Sequence, residues 1–86
     1  MTNKFETSKT YTLKRTCGNF TYVEELTVDE LMSTGSISGT WSNYMIDNKT
    51  GTRYNGTSRS VYTRVRKAPG KDYQMTTDLC VRFYAA

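Results

Sequence analysis

The sequence contains no histidine, which removes the commonest general base and the commonest neutral metal ligand in proteins. Catalytic arrangements of the Ser-His-Asp and Cys-His types are therefore excluded. The two cysteines, Cys17 and Cys80, are too far apart in the chain to form a zinc site without further ligands, and no glycine-rich phosphate-binding loop of either common type is present. We therefore expect a protein that is not an enzyme and that holds no metal and no cofactor.

The chain also lacks any apolar run long enough for a signal peptide or a membrane-spanning helix. This absence predicts a cytoplasmic protein, in which Cys17 and Cys80 are reduced thiols rather than a disulfide. We expect one domain, residues 1–86, with a thin core, because a domain of this size buries only roughly 60 to 65% of its unfolded surface. Seven tyrosines and a single tryptophan indicate that a few large side chains build that core.

The strongest local pattern predicts a short helix over 26–35. Thr27 is a suitable N-cap and Glu30 completes a capping box, because both side chains can pair with backbone N–H groups at the start of a helix. Gly35 can adopt the left-handed conformation that ends a helix. One side of this helix is apolar, with the i, i+3, i+4 spacing of Val28, Leu31 and Met32. Such a helix needs a sheet to cover its apolar side.

Alternation of apolar and polar residues predicts strands in most of the remaining chain. The predicted strands cover 7–16, 20–25, 36–46, 58–67 and 79–84, with a short or bulged strand at 52–54. Turn residues separate them at 17–19, 47–51, 55–56 and 68–71. For 58–67 a helix is the competing interpretation, which the β-branched residues disfavour. The predicted fold class is α+β, a small and mostly antiparallel sheet of about five strands in the order β-β-α-β-β-β, with one short helix packed on it.

Charge is distributed unevenly along the chain. Residues 1–46 carry four Lys/Arg against five Asp/Glu, whereas residues 47–86 carry eight against three. In the strand predicted over 58–67, alternation places Tyr62, Arg64 and Arg66 on one face. If the last two strands are neighbours, the same face gains Arg59, Lys67, Lys71, Arg82 and Tyr84.

This basic, tyrosine-bearing face supports two hypotheses of function. In the first, the chain is a small non-enzymatic binding protein that occupies a surface of a protein or nucleoprotein complex, because Tyr and Arg dominate the binding energy of protein interfaces. Small accessory proteins of phages and mobile elements, including inhibitors of bacterial defence complexes, have this general character. In the second hypothesis the face binds single-stranded nucleic acid or RNA, with guanidinium groups on phosphates and rings stacked on bases.

Two further interpretations stay open. The long basic side chains can simply solvate the outer face of the sheet and cover its tyrosine rings. Alternatively, an uncovered sheet edge can pair with a second copy of the chain. The carboxylates at Glu24, Glu25, Asp29 and Glu30 are interpreted as a solvated helix face and helix cap rather than as paired acid-base catalysts.

Overall fold

The computed structural model describes residues 5–67, 73–76 and 82–84, which form one antiparallel sheet whose strands lie side by side in chain order. Four long strands come first: β1 Thr10–Cys17, β2 Phe20–Leu31, β3 Ser36–Asp47 and β4 Arg53–Lys67. Two short strands, β5 Tyr73–Thr76 and β6 Arg82–Tyr84, continue the sheet beyond β4. The antiparallel sheet is as predicted. The α+β class is wrong, because the described ranges contain no helix.

The helix predicted over 26–35 is replaced by the second half of β2 and the turn into β3. Strand β2 pairs with β3 along nearly its whole length. The apolar spacing that resembled a helix arises from a β-bulge between Val28 and Glu30. Because the bulge accommodates Asp29 as an extra residue, Val28 and Leu31 face the same side of the sheet although they are three positions apart.

The capping residues of the predicted helix take part in strand pairing instead. Thr27 Oγ1 shares a hydrogen bond of 2.9 Å with Thr10 Oγ1 on the neighbouring strand. Gly35 has a φ of 87°, but it lies in the turn between β2 and β3, where its N–H donates to the Met32 carbonyl over 3.0 Å. The Met32 N–H in turn donates to the Ser36 carbonyl over 2.8 Å. Strand pairing on β2 therefore outweighs a helix cap that contributes about 1 kcal/mol.

The main core lies on one face of the sheet, which we call the inner face, whereas Val23 is buried on the opposite face. The sheet is curled, since β1 and β6 are in contact although they stand at opposite ends of the strand order. Phe5 precedes β1 and packs edge-on against Tyr11, with 4.8 Å between the ring centroids. All six strands contribute to a single cluster of buried side chains: Phe5, Tyr11, Leu26, Val28, Ile37, Trp41, Val61, Met75 and Phe83.

The core covers only part of the inner face. Tyr11, Leu26 and Trp41 pair across β1, β2 and β3 and form the last buried row of the core. Beyond this row, the inner-face residues of β1 to β4 are half-buried or exposed. Strands β2 and β3 extend past this row, because each has 12 residues and is about 40 Å long. This length is close to the 44 Å long axis of the molecule.

Turns close this far end of the sheet. The turns predicted over 17–19 and 47–51 are confirmed, and Gly18 and Gly51 have φ values of 61° and 74°. The two turns are joined, because the Asn48 N–H donates to the Asn19 carbonyl over 2.7 Å. The turn predicted over 68–71 and the first residues of the strand predicted over 79–84 lie outside the described ranges. Within these ranges, no helical segment has the length and apolarity needed to cross a membrane.

Candidate interaction surfaces

Three of the predicted site residues share one exposed face of β4. Tyr62, Arg64 and Arg66 alternate with core-facing residues and lie on the outer face, opposite the core, where Tyr62 is 61% exposed. Their neighbours on β3 are small, because Ser38 pairs with Tyr62 and Ser36 pairs with Arg64. We call Tyr62, Arg64 and Arg66 the β4 basic surface.

Tyr84 lies close to this surface. Gln74 of β5 pairs with Arg66 on one side and with Tyr84 on the other. Two strand spacings therefore separate Tyr84 from Arg66, which is about 10 Å between their Cα atoms. Tyr84 is 42% exposed. The strand order thus brings a second exposed tyrosine to the β4 basic surface from the C-terminal part of the chain.

Of the remaining predicted residues, Arg59 is placed on the other face of the sheet. Arg59 pairs with Trp41 and is therefore on the inner face, exposed at the border of the core. In the backbone ladder, Lys67 pairs with Tyr73 and Arg82 pairs with Thr76. Lys71 lies outside the described ranges. The structure therefore separates Arg59 from the β4 basic surface, because residues 59 and 62 differ in parity along a strand of period two.

A second surface, which the sequence analysis missed, lies on the inner face beyond the core. We call it the end groove, an open cavity of about 600 Å³. Tyr22 of β2 and Tyr54 of β4 both pair with Met45 of β3, which places the two tyrosines about 10 Å apart on either side of the methionine. Leu13 of β1 also lines the groove. Tyr22, Tyr54 and Leu13 are 38%, 49% and 37% exposed, a large fraction for apolar side chains on the core-bearing face.

The end groove contains one carboxylate, that of Glu24. Glu24 is half-buried, and its ladder partners are the uncharged Leu13 and Asn43. Its carboxylate makes no ion pair or hydrogen bond with any residue of the described ranges. Arg15 also lines the groove, and its guanidinium carbon lies 5.7 Å from the ring centroid of Tyr22 rather than against Glu24.

The β4 side of the end groove depends on a second β-bulge, at Asn43. Gly56 and Thr57 of β4 lie together opposite this single residue of β3. The Thr57 N–H donates to Asn43 Oδ1 over 2.6 Å, and a Cβ atom at position 56 would overlap the same oxygen. The turn predicted at 55–56 is therefore wrong. The glycine there permits a close approach of side chain to backbone within a continuous strand.

Across the described residues, no three His, Cys, Asp or Glu side chains are grouped so as to hold a metal ion. Cys17 is an exposed free thiol at the end of β1, and Cys80 lies outside the described ranges. The exposed functional groups are tyrosine rings, guanidinium groups and one unpaired carboxylate in the end groove.

Sequence reasoning missed the end groove because register alone brings its residues together. Leu13, Tyr22, Met45 and Tyr54 belong to four different strands, and no local motif joins them. One signal was present in the sequence. Large apolar residues occur within a few positions of predicted turns, at strand ends that a thin core is too small to cover.

Comparison of the chain with protein-family models, with curated protein sequences and with solved structures finds no significant match.

Proposed function

We propose that the chain is a small non-enzymatic binding protein that occupies a surface of a protein or nucleoprotein complex through the β4 basic surface. The observation that carries this proposal is the exposure of Tyr62, Arg64 and Arg66 on one face of a strand that pairs with β3 over residues 53–64 and with β5 over residues 65–67. Tyr and Arg are the residue types that most often dominate the energy of protein interfaces. An accessory protein or inhibitor from a phage or mobile element, such as an anti-defence protein, is one class of binder with these properties.

The sheet gives these side chains a rigid base. Strand β4 has 15 residues, of which 53–64 pair with β3 and 65–67 pair with β5. Backbone order is therefore established before binding, and only the rotamers of a few side chains have to be fixed, at about 0.5 to 1.5 kcal/mol each. Ser38, which pairs with Tyr62, is small and only half-buried, so it leaves room for a partner to reach one flank of the Tyr62 ring.

A triple variant tests the proposal. We expect Tyr62→Ala, Arg64→Ala and Arg66→Ala together to weaken binding to the partner by at least about 30-fold, which corresponds to about 2 kcal/mol. The measurement is capture of the partner on the immobilised protein from a nuclease-treated host lysate, followed by titration of the captured partner. The matched control is Ser58→Ala with Ser60→Ala, which alters the outer face of the same strand. Undiminished binding of the partner by the triple variant would show that this surface is not the docking site.

Binding of single-stranded nucleic acid is the second candidate, and the position of Tyr84 favours it. The exposed Tyr84, whose Cα lies about 10 Å from that of Arg66, adds an aromatic ring on the same face as the two guanidinium groups. Two phosphate contacts predict that the affinity falls about sevenfold between about 50 and about 200 mM salt. Fluorescence anisotropy with labelled single-stranded and double-stranded oligonucleotides at both salt concentrations measures this fall. Absence of binding at the lower salt concentration would refute the hypothesis that the chain binds nucleic acid and would leave a protein as its partner.

A further inference from the structure

The chain itself shows how this sheet holds an arginine. On the outer face, the guanidinium carbon of Arg53 lies 3.7 Å from the ring centroid of Tyr44. The Nε of Arg53 donates to Asn55 Oδ1 over 2.9 Å. A tyrosine ring below the guanidinium plane and an oxygen acceptor at its edge thus fix the cation, a pairing that the planar and delocalised charge of arginine suits.

The end groove contains the same two elements, with Arg15 near Tyr22 but no cation of the described residues stacked on Tyr54 or paired with Glu24. Tyr54 and Tyr22 supply rings from either side of Met45, with about 10 Å between the two Cα atoms, and Glu24 supplies the acceptor. No cation stacks on Tyr54 within the described part of the chain, where the recorded stacks are on Tyr11, Tyr22 and Tyr44. The acceptor here is a carboxylate, which binds a guanidinium more strongly than an amide oxygen does.

Three cations of the chain lie in or beside this region, and none of them pairs with Glu24. Lys14 lines the groove but pairs with Val23, so its side chain lies on the outer face. Arg15 approaches Tyr22 from the β1 side, at the rim of the groove. Arg59 lies on β4, two strands away from Glu24, and has an interaction of its own. The carboxylate of Glu24 thus has no counter-ion among the described residues, and a cation from outside the chain can pair with it.

We infer that the end groove binds an arginine side chain presented by a partner polypeptide. The guanidinium group lies between Glu24 and the tyrosine rings, and the aliphatic stem lies against Met45 and Leu13. The groove is on the opposite face of the sheet from the β4 basic surface. This inference therefore stands independently of the proposed function, and it gives the chain a second docking site of different charge preference.

A pair of matched peptides tests the inference. The probes are acetyl-Gly-Arg-Gly-amide and the same peptide with citrulline, which has nearly the same shape as arginine but no charge. We expect the arginine peptide to cause saturable shifts of the backbone amide signals of Tyr22, Glu24, Met45 and Tyr54 in nuclear magnetic resonance spectra. The citrulline peptide should cause none at the same concentrations. Equal binding of the two peptides, or shifts located elsewhere in the chain, would overturn the inference.

Substitutions assign the two contacts. Glu24→Gln should weaken binding of the arginine peptide about fivefold, the upper range for a solvent-accessible ion pair. Glu25→Gln is the matched control, since Glu25 is half-buried on the opposite face of the same strand, and it should leave the affinity unchanged. Tyr54→Phe should retain binding and Tyr54→Leu should weaken it two- to fivefold, about the contribution of one cation-π contact. Affinity that is unchanged in both Glu24→Gln and Tyr54→Leu would overturn the inference.

The two docking proposals fail separately. The Tyr62, Arg64 and Arg66 triple variant should bind the arginine peptide with the affinity of the unchanged protein. Glu24→Gln should retain every contact of the β4 basic surface. Well-dispersed amide spectra of each variant confirm that the sheet is intact before affinities are compared.

Discussion

Replacement of Gly39 by alanine probes a close approach between β2 and β3. Gly39 is buried on the inner face, where it pairs with Val28 of β2 and Val61 of β4. A Cβ atom at position 39 would overlap the carbonyl oxygen of Thr27, and it would lie 3.1 Å from the Thr27 carbonyl carbon and 3.3 Å from the Val28 Cα. All three are backbone atoms of β2, so no side-chain rotation can relieve the overlap.

The expected cost follows from two opposing effects. Overpacking of a well-packed core costs about 1 to 3 kcal/mol, and the upper part of this range applies because a strand has to move. Alanine in a strand interior regains about 0.5 to 1 kcal/mol relative to glycine. We therefore expect Gly39→Ala to lower the free energy of unfolding by about 2 kcal/mol. This is a large share of the roughly 4 to 13 kcal/mol that a chain of this length has in total.

Urea denaturation followed by the fluorescence of Trp41 measures this loss, since Trp41 is the only tryptophan and is 7% exposed. The midpoint should fall with an unchanged m-value, and Tm should fall by about 10 °C. Ser38→Ala, one position earlier and on the outer face, is the control and should change stability by less than about 0.5 kcal/mol. If Gly39→Ala were as stable as the unchanged protein, the close packing of β2 against β3 would be refuted.

Two further substitutions test the core and the bulge at the end groove. Leu26→Ala should lower the free energy of unfolding by about 3 kcal/mol because the side chain is fully buried, whereas Leu31→Ala on the same strand should cost less than about 1 kcal/mol because Leu31 is 45% exposed. Equal losses in urea denaturation would contradict the placement of β2. Asn43→Ala removes the acceptor of the Thr57 N–H and should cost about 1 kcal/mol, with faster hydrogen exchange at that amide. Unchanged protection of the Thr57 amide would contradict the bulge geometry.

The sequence predicted strands well where alternation was regular and failed where a bulge interrupted it. The strand predicted over 36–46 is β3 almost residue for residue. In contrast, the bulge at Asp29 turned a two-residue period into a three-residue step, which a pattern of apolar positions cannot distinguish from a helical turn. Gly35 was correctly assigned a positive φ, because a helix end and a hairpin turn demand the same backbone conformation there.

The two surfaces differ in how far the sequence could predict them. Tyr62, Arg64 and Arg66 lie on a single strand, so alternation alone placed them on one face. The end groove depends on pairing between four strands, and a shift of one residue in register would have moved Tyr22 or Tyr54 to the other face. Long-range register is set by tertiary packing, which no local pattern reports.

The sequential order of the strands has a consequence for how the chain folds. Each of β1 to β4 pairs with the strand next to it in sequence, so every early pairing step closes only a short loop. Isolated hairpins form within about 1 to 10 μs, and such local pairings favour rapid folding. The contact between β1 and β6 is different, because it joins the two ends of the chain and completes the core around Phe83. We expect this last closure, rather than hairpin formation, to limit the folding rate.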